Sequence, residues 1–357
     1  MGILSGVKII EMEGIGPGPF AAMHLADLGA DVVRISRPNS PNPLSSLIMR
    51  GKKVITLNLK DEEDKAELMR LIAQADGLIE GMRPGVMERL GLGPDVCLAA
   101  NPKLAYGRLT GWGQTGPLSH AAGHDLNYIA LSGALWYSGE AGSRPFAPPS
   151  LIGDIAGGAL YLTIGLLAAI LNAQKTGKGD VIDAAMVDGS AHMMNLLLSL
   201  LPSGLLQMER GKSLLDGPHW YDSYACKDGE FITIGSLEPK FYTLLLENLS
   251  LTNDPDFSQQ MNSKLWPTQK EKLVAIFETK TQKEWCEQME GTDICFAPVL
   301  NPKDAAKHPH IQERQVYQEH NGHIEANPAP RFTNNAQTKG RKIAIKTDIE
   351  AVLKEWS

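Results

Sequence analysis

Short apolar runs recur through the first 110 residues, and three of them are followed by a segment with helical periodicity. Val7–Glu11, Asp31–Ile35, Val54–Leu59, Gly77–Glu80 and Leu104–Leu109 read as strands. Between them, Phe20–Leu28 reads as a helix stopped by Gly29. A second helix is capped by Asp61, is acidic in its first turn and runs to about Ala75. Pro84 opens a third over Gly85–Leu90, at a position where proline is tolerated. Strands that alternate with helices at this spacing have few solutions, because each crossover helix must pack on a face of the sheet. The expectation is an α/β, Rossmann-like large domain with a mostly parallel sheet and helices on both faces.

The pattern changes after residue 195. Trp220–Cys226 and Glu230–Gly235 read as strands joined by Lys227-Asp228-Gly229, whose Asp-Gly is a hairpin signal. Helices are expected over Phe241–Leu249, Pro267–Thr279 and Gln282–Met289, then a strand over Ile294–Leu300. Residues 301–340, rich in Pro, His and Asn, read as an extended connection. The expected division is a large domain over 1–195 and a smaller α+β domain with the connecting segment over 196–330.

Apolar residues make up 43% and charged residues 21%, the balance of a soluble globular chain. The net charge of −7 argues against a nucleic-acid partner. Cys97, Cys226, Cys286 and Cys295 are scattered without C-x-x-C spacing, which suits reduced thiols and a cytoplasmic location. No signal-peptide pattern opens the sequence, and no Ser-Lys-Leu address closes it. Ile155–Gln174 carries no charge, but its glycines and alanines suit a buried core helix better than a membrane span.

Three features carry chemistry. Gly14-Ile15-Gly16-Pro17-Gly18-Pro19 follows a strand and precedes a helix, the place where dinucleotide folds hold a pyrophosphate. Its glycines depart from G-x-G-x-x-G and its prolines remove donors, so a nicotinamide dinucleotide is not expected there. Arg34 and Arg37 at the end of the second strand, with Arg83 and Arg89 around a helix start, could pair with phosphates. His124 and Asp125 in Gly123-His124-Asp125-Leu126-Asn127-Tyr128, and Asp154 thirty residues later, could be helix caps. They could equally supply two proton-transfer groups to one site. The paired histidines His308/His310 and His320/His323 lie in a polar segment, and no metal site is expected.

Several stretches together resemble the α-methylacyl-CoA racemases of the family III CoA-transferase superfamily. They are Gly14–Pro19, Leu25–Arg34, Glu80–Gly85, Gly111–Pro117, Gly123–Tyr128, Thr176–Gly179, Asp183–Gly189, Gly235–Tyr242 and Pro328–Phe332. The resemblance implies a 2-methyl-branched acyl-CoA substrate, with CoA entering as part of it and no separate cofactor. It implies that His124 and Asp154 are the acid–base pair, one removing the α-proton and the other reprotonating the opposite face of an enolate. The oxyanion donor would be the backbone N–H of Asp125 at a helix N-terminus. Glu238 would orient the histidine from the partner subunit, although Ser236, Leu237 and Lys240 depart from the family pattern there. CoA would lie against Arg37, Leu57, Asn58, Leu59, Lys60, Gly81, Met82, Arg83, Arg89, Gly123, Leu126, Asn127 and Tyr128. The family pattern also implies an interlocked homodimer in which residues 331–357 return to the large domain.

Two other functions compete. A CoA-transferase of the same superfamily would use Asp154 as a nucleophile and would not need His124. A nicotinamide-dependent oxidoreductase would need the glycine fingerprint that is missing, and a CoA-binding module without catalysis would need no acid–base pair.

Overall fold

The computed structural model describes residues 2–40, 46–320, 322–334 and 343–357. The chain forms two compact units. One comprises Met1–Leu135, Ala147–Met194 and Pro328–Ser357, the other Trp136–Phe146 and Asn195–Asn327.

The first unit is built on a parallel sheet. Its strands are β1 (Lys8–Met12), β2 (Asp31–Ser36), β3 (Lys52–Thr56), β4 (Gly77–Glu80), β5 (Ala105–Thr110), β6 (Asp180–Ala185) and β12 (Ile345–Lys346). Seven strands pair in the order β12-β3-β2-β1-β4-β5-β6, every pair parallel. The central strands are apolar on both faces because helices cover both. Ile10, Val33, Ile55, Leu78 and Tyr106 meet α2 (Glu62–Ile72) and α14 (Ile349–Trp356) in one core. Ile9, Val32, Ile79 and Ala105 meet α1 (Pro17–Asp27) and α6 (Leu160–Thr176) in the other. The chain moves outward one way from β1 through β2 and β3, and the other way from β4 through β5 and β6. This places a topological switch point between β1 and β4, where ligands of open α/β sheets bind beyond the strand ends.

Most local boundaries follow capping chemistry. Asp61 caps α2, accepting the Glu63 and Asp64 N–H groups. Gly85, at φ 81°, precedes the single turn α3 (Val86–Arg89), and Pro94 opens α4 (Pro94–Ala100). β6 and α4 were not expected from the pattern. α1 begins at Pro17, inside the glycine–proline segment rather than at Phe20.

The uncharged run belongs to a helix of 26 residues, Leu151–Thr176, long and apolar enough to cross a membrane by length and composition. Its first nine residues, Leu151–Ala159, are π-helical and run into α6. The core-helix expectation holds for one face only. Leu162, Leu166 and Ile170 are buried, while Ile164 is 64% and Leu171 57% exposed.

In the second unit, α8 (Asn195–Leu198) is followed by β7 (Tyr221–Ala225) and β8 (Phe231–Gly235), the expected hairpin. After α9 (Pro239–Asn248), α10 (Trp266–Phe277) and α11 (Gln282–Met289), β9 (Phe296–Val299) joins β8 antiparallel. Trp220, Tyr224, Leu245, Leu273, Phe277 and Trp285 fill its core. The connection expected over 301–340 is not merely extended. It contains α12 (Pro302–Ala305), α13 (Pro309–Glu313) and the hairpin β10 (Tyr317–His320) with β11 (His323–Ala326). Its residues 321 and 335–340 lie outside the described ones. His308 caps α13 and lies 2.6 Å from Glu290 Oε1.

Candidate active site

A cavity of about 400 Å³ opens at the switch point of the first unit. Its walls come from the ends of three strands: Gly14–Pro19 after β1, Ile79 with Gly81–Pro84 around the end of β4, and Leu109–Trp112 around the end of β5. His124, Tyr128 and Asp154 complete the lining. Gly81, Met82, Arg83 and Gly123 also face it.

Two buried charge networks shape these loops. Glu11 of β1 accepts from Arg34 at 2.8 Å and from Lys52 at 2.6 Å, and Lys52 Nζ also donates to the Pro19 carbonyl at 2.9 Å. Arg34 is therefore not a phosphate ligand but an interior cation, 1% exposed and paired from below the glycine–proline turn. The alternation that put Arg34 on a strand could not reveal the acid opposite it. In the second network, buried Glu80 accepts from Arg108 Nε at 2.9 Å and from the Met82 N–H at 2.7 Å. Burial holds its carboxyl above the ordinary value despite those bonds. Arg108 also bonds Glu88 at 2.8 Å, so one guanidinium ties β4, β5 and α3 together behind the Gly81-Met82-Arg83 wall.

α5 (Asp125–Leu131) begins at this cavity, with His124 as its N-cap residue. The His124 N–H donates to Asn127 Oδ1 at 3.0 Å, and the imidazole itself is exposed to the cavity. Asp125 is the first helical residue rather than the cap. Its backbone N–H and that of Leu126 have no intrahelical acceptor and carry the positive end of the helix dipole. Tyr128 locks this turn, since its hydroxyl donates to the Gly123 carbonyl and its ring meets Trp112 edge-on at 4.8 Å. A Cβ at Gly111 would lie 2.1 Å from the Tyr128 ring, so only glycine allows this packing.

Asp154 does not cap its helix. It sits in the first π-helical turn, after Ser150, and faces the cavity. Its carboxylate lies beside Gly16, where an added Cβ would be 3.8 Å from Oδ2. The helix is held close to α5 and to α7 (Met186–Met193) by glycines. A Cβ at Gly189 would lie 1.9 Å from the Gly157 carbonyl, and one at Gly153 2.8 Å from Asp125 Oδ1. Burial and the neighbouring Asp125 carboxylate hold the Asp154 carboxyl above its ordinary value. A Ser150 hydrogen bond and the His124 charge oppose them.

The remaining expected residues lie elsewhere. Arg37, 73% exposed at its side chain, pairs with Glu13 at 3.5 Å beyond β2. Leu57 is core, Asn58 and Lys60 are exposed in the turn after β3, and none of Leu57–Lys60 lines the cavity. Arg89, Leu126 and Asn127 are exposed but outside the lining. Glu238 lies in the second unit, exposed at the N-cap of α9. Sequence reasoning missed Trp112, Ser150 and Met186 at the site, and Lys52 and Glu80 beneath it. None of these has a neighbour in sequence that points to its partner.

Comparison with known proteins gives the chain a family. The model of CoA-transferase family III matches residues 4–346. The chain belongs to this family. It is 43% identical over 316 residues to the α-methylacyl-CoA racemase of Mus musculus, covering 88% of this chain and 82% of the relative. It is 42% identical over 333 residues to that of Homo sapiens, covering 93% and 87%. A CAIB/BAIF family protein from Brucella suis has the same fold, with a TM-score of 0.82 at 24% identity over the whole of both chains. The family III resemblance drawn from the sequence motifs is thus shown.

Proposed function

We propose that this chain is an isomerase that inverts the α-carbon of 2-methyl-branched acyl-CoA thioesters by two-base proton transfer. The observation that carries the reading is that His124, the N-cap residue of α5, and Asp154 line one cavity. A thioester carbonyl seated on the Asp125 N–H would have its enolate charge stabilised by an amide and a helix dipole. One of His124 and Asp154 takes the α-proton and the other returns one from the opposite face. The raised carboxyl of Asp154 suits that exchange, because burial and Asp125 favour the protonated form that returns a proton.

The CoA moiety extends from the cavity past Arg83 and along the strand ends, with Arg37, Asn58, Lys60 and Arg89 available to its phosphates. CoA is part of the substrate, and no further cofactor is needed. We take residues 1–195 with 331–357, apart from the Trp136–Phe146 segment that belongs to the second unit, as the CoA-binding domain and 196–330 as the smaller domain. We further infer an interlocked homodimer in the cytoplasm, in which Glu238 of a second copy orients His124. The exposed apolar face of α6, the exposed position of Glu238 and four free thiols support this.

The transferase reading needs Asp154 alone as a nucleophile, so His124 on the same cavity favours isomerisation. Incubation of one 2-methylacyl-CoA stereoisomer in deuterated water tests the choice. Loss of optical activity with deuterium at the α-carbon is the expected result. Transfer of CoA to an added free acid, with release of the 2-methyl acid and no α-exchange, would establish the transferase instead.

A further inference from the structure

The Asp125 side chain performs a separate task from its backbone. It is buried, 7% exposed, and its Oδ1 accepts the backbone N–H of Asp154 at 2.7 Å. The carboxylate fits into the space left by Gly153, where a Cβ would lie 2.8 Å from Oδ1. A full negative charge is thus placed next to the residue that must hold and release a proton. A neutral acceptor would satisfy the same N–H, so the charge has an effect beyond the hydrogen bond.

We propose that the Asp125 carboxylate is a positioning residue that anchors the Asp154 turn and, through its charge, keeps Asp154 available as an acid. The proposal rests on the isomerase reading above. Coulomb repulsion between like charges in a half-buried cavity favours the protonated form of the one that can gain a proton. The direction of the Asp154 shift, with burial and then Asp125 as its raising causes, agrees with this. Among the described residues, the titratable groups that interact with Asp154 are Asp125, His124 and Tyr128, all from α5 and its cap, with the Ser150 hydroxyl opposed. Arg83 lines the same cavity from the β4 loop. On α7, Asp188 interacts instead with Asp183 of β6. On α1, His24 interacts with Asp27 and Arg50. Asp125 is thus the neighbouring carboxylate that raises Asp154.

Two variants separate charge from geometry, and both keep the backbone N–H. Asp125→Asn retains an oxygen to accept the Asp154 N–H but loses the charge. Asp125→Ala loses both. In a two-base exchange the acid limb of the kcat/KM profile reports protonation of the pair, largely at Asp154. In Asp125→Asn that limb should move to lower pH. Asp125→Ala should show the same shift and a further fall in kcat of about tenfold or more at every pH, because the turn loses its anchor. The Asp154 carboxyl should move in parallel in a ¹³C NMR titration of substrate-free protein, identified by its loss in Asp154→Asn. An acid limb and a carboxyl titration unchanged in Asp125→Asn would overturn the proposal. If the unaltered protein exchanges no α-proton, the isomerase reading falls, and the NMR titration still decides whether Asp125 sets the ionisation of Asp154.

Discussion

Lys52 and Glu11 form a fully buried ion pair at 2.6 Å, and the same ammonium holds the Pro19 carbonyl of the cavity wall at 2.9 Å. Burial lowers the affinity of Lys52 for its proton, and Glu11 restores part of it. Replacing Lys52 with Met leaves Glu11 with Arg34 alone and frees Pro19. Removing one member of a buried pair costs about 3–5 kcal/mol. We expect Lys52→Met to lower the urea midpoint strongly and, in protein still folded, to slow α-proton exchange.

His124→Ala and Asp154→Asn should each lower α-proton exchange by about 10²–10⁴-fold while leaving CoA binding nearly unchanged. Deuterium incorporation and calorimetric titration with CoA measure the two properties separately. Asp154 adds a stability sign. Its carboxyl is raised in the folded state, so the cost of ionising it there is absent at low pH and appears as pH rises through the folded-state value. Asp154→Asn should therefore melt at a higher temperature than the unaltered protein at neutral pH, with the difference vanishing on acidification. Full exchange activity in either variant would remove the two-base mechanism.

Arg83 reaches the cavity from the loop held by Glu80 and has an exposed side chain. On the proposed CoA path it would contribute to binding equally in the ground and transition states. Arg83→Ala should raise KM for the thioester about tenfold with little change in kcat, and the loss should shrink as salt is added. Equal kinetics at low salt would remove Arg83 from the CoA path.

The parallel sheet was legible because its central strands are apolar on both faces and their helices carry caps. Gly77–Glu80 and Gln282–Met289 end where the local chemistry says they should. β6 was not legible, since Asp180 and Asp183 on an exposed edge strand disguise it. Nor was the role of Arg34, whose partner Glu11 lies on a neighbouring strand. His124 and Asp154 could be picked out as isolated polar groups beside glycines. Their meeting on one cavity depends on helices approaching through Gly153, Gly157 and Gly189, a property of the pair of surfaces rather than of either segment.

That approach makes Gly189 a sensitive position. Its added methyl would lie 1.9 Å from the Gly157 carbonyl, a backbone atom that cannot swing aside. Gly189→Ala must push α7 away from the Asp154 helix. We expect a loss of about 1–3 kcal/mol in unfolding free energy and a fall in kcat larger than any change in KM. Denaturant titration beside steady-state kinetics provides the check. An unaltered kcat would mean that Asp154 tolerates movement of its helix.

His219 gives the second unit a pH dependence of its own. The ring is fully buried, with Nε2 at 2.8 Å from the Tyr242 hydroxyl and edge contacts to Tyr242 and Phe257. Burial, with a smaller contribution from the Lys270 charge, pushes its pKa down to about 3. An unfolded chain takes up this proton near pH 6.5, whereas the folded one does not until about 3. The stability that a neutral His219 provides is therefore complete above about pH 6.5 and is lost on acidification toward 3, by up to ~1.4 kcal/mol per pH unit. His219→Gln should be less stable at pH 7.5, because it loses the ring packing. It should also lose stability less steeply between pH 6.5 and 4, as followed by tryptophan fluorescence during urea unfolding. Parallel declines in the two proteins would place the acid sensitivity in another group.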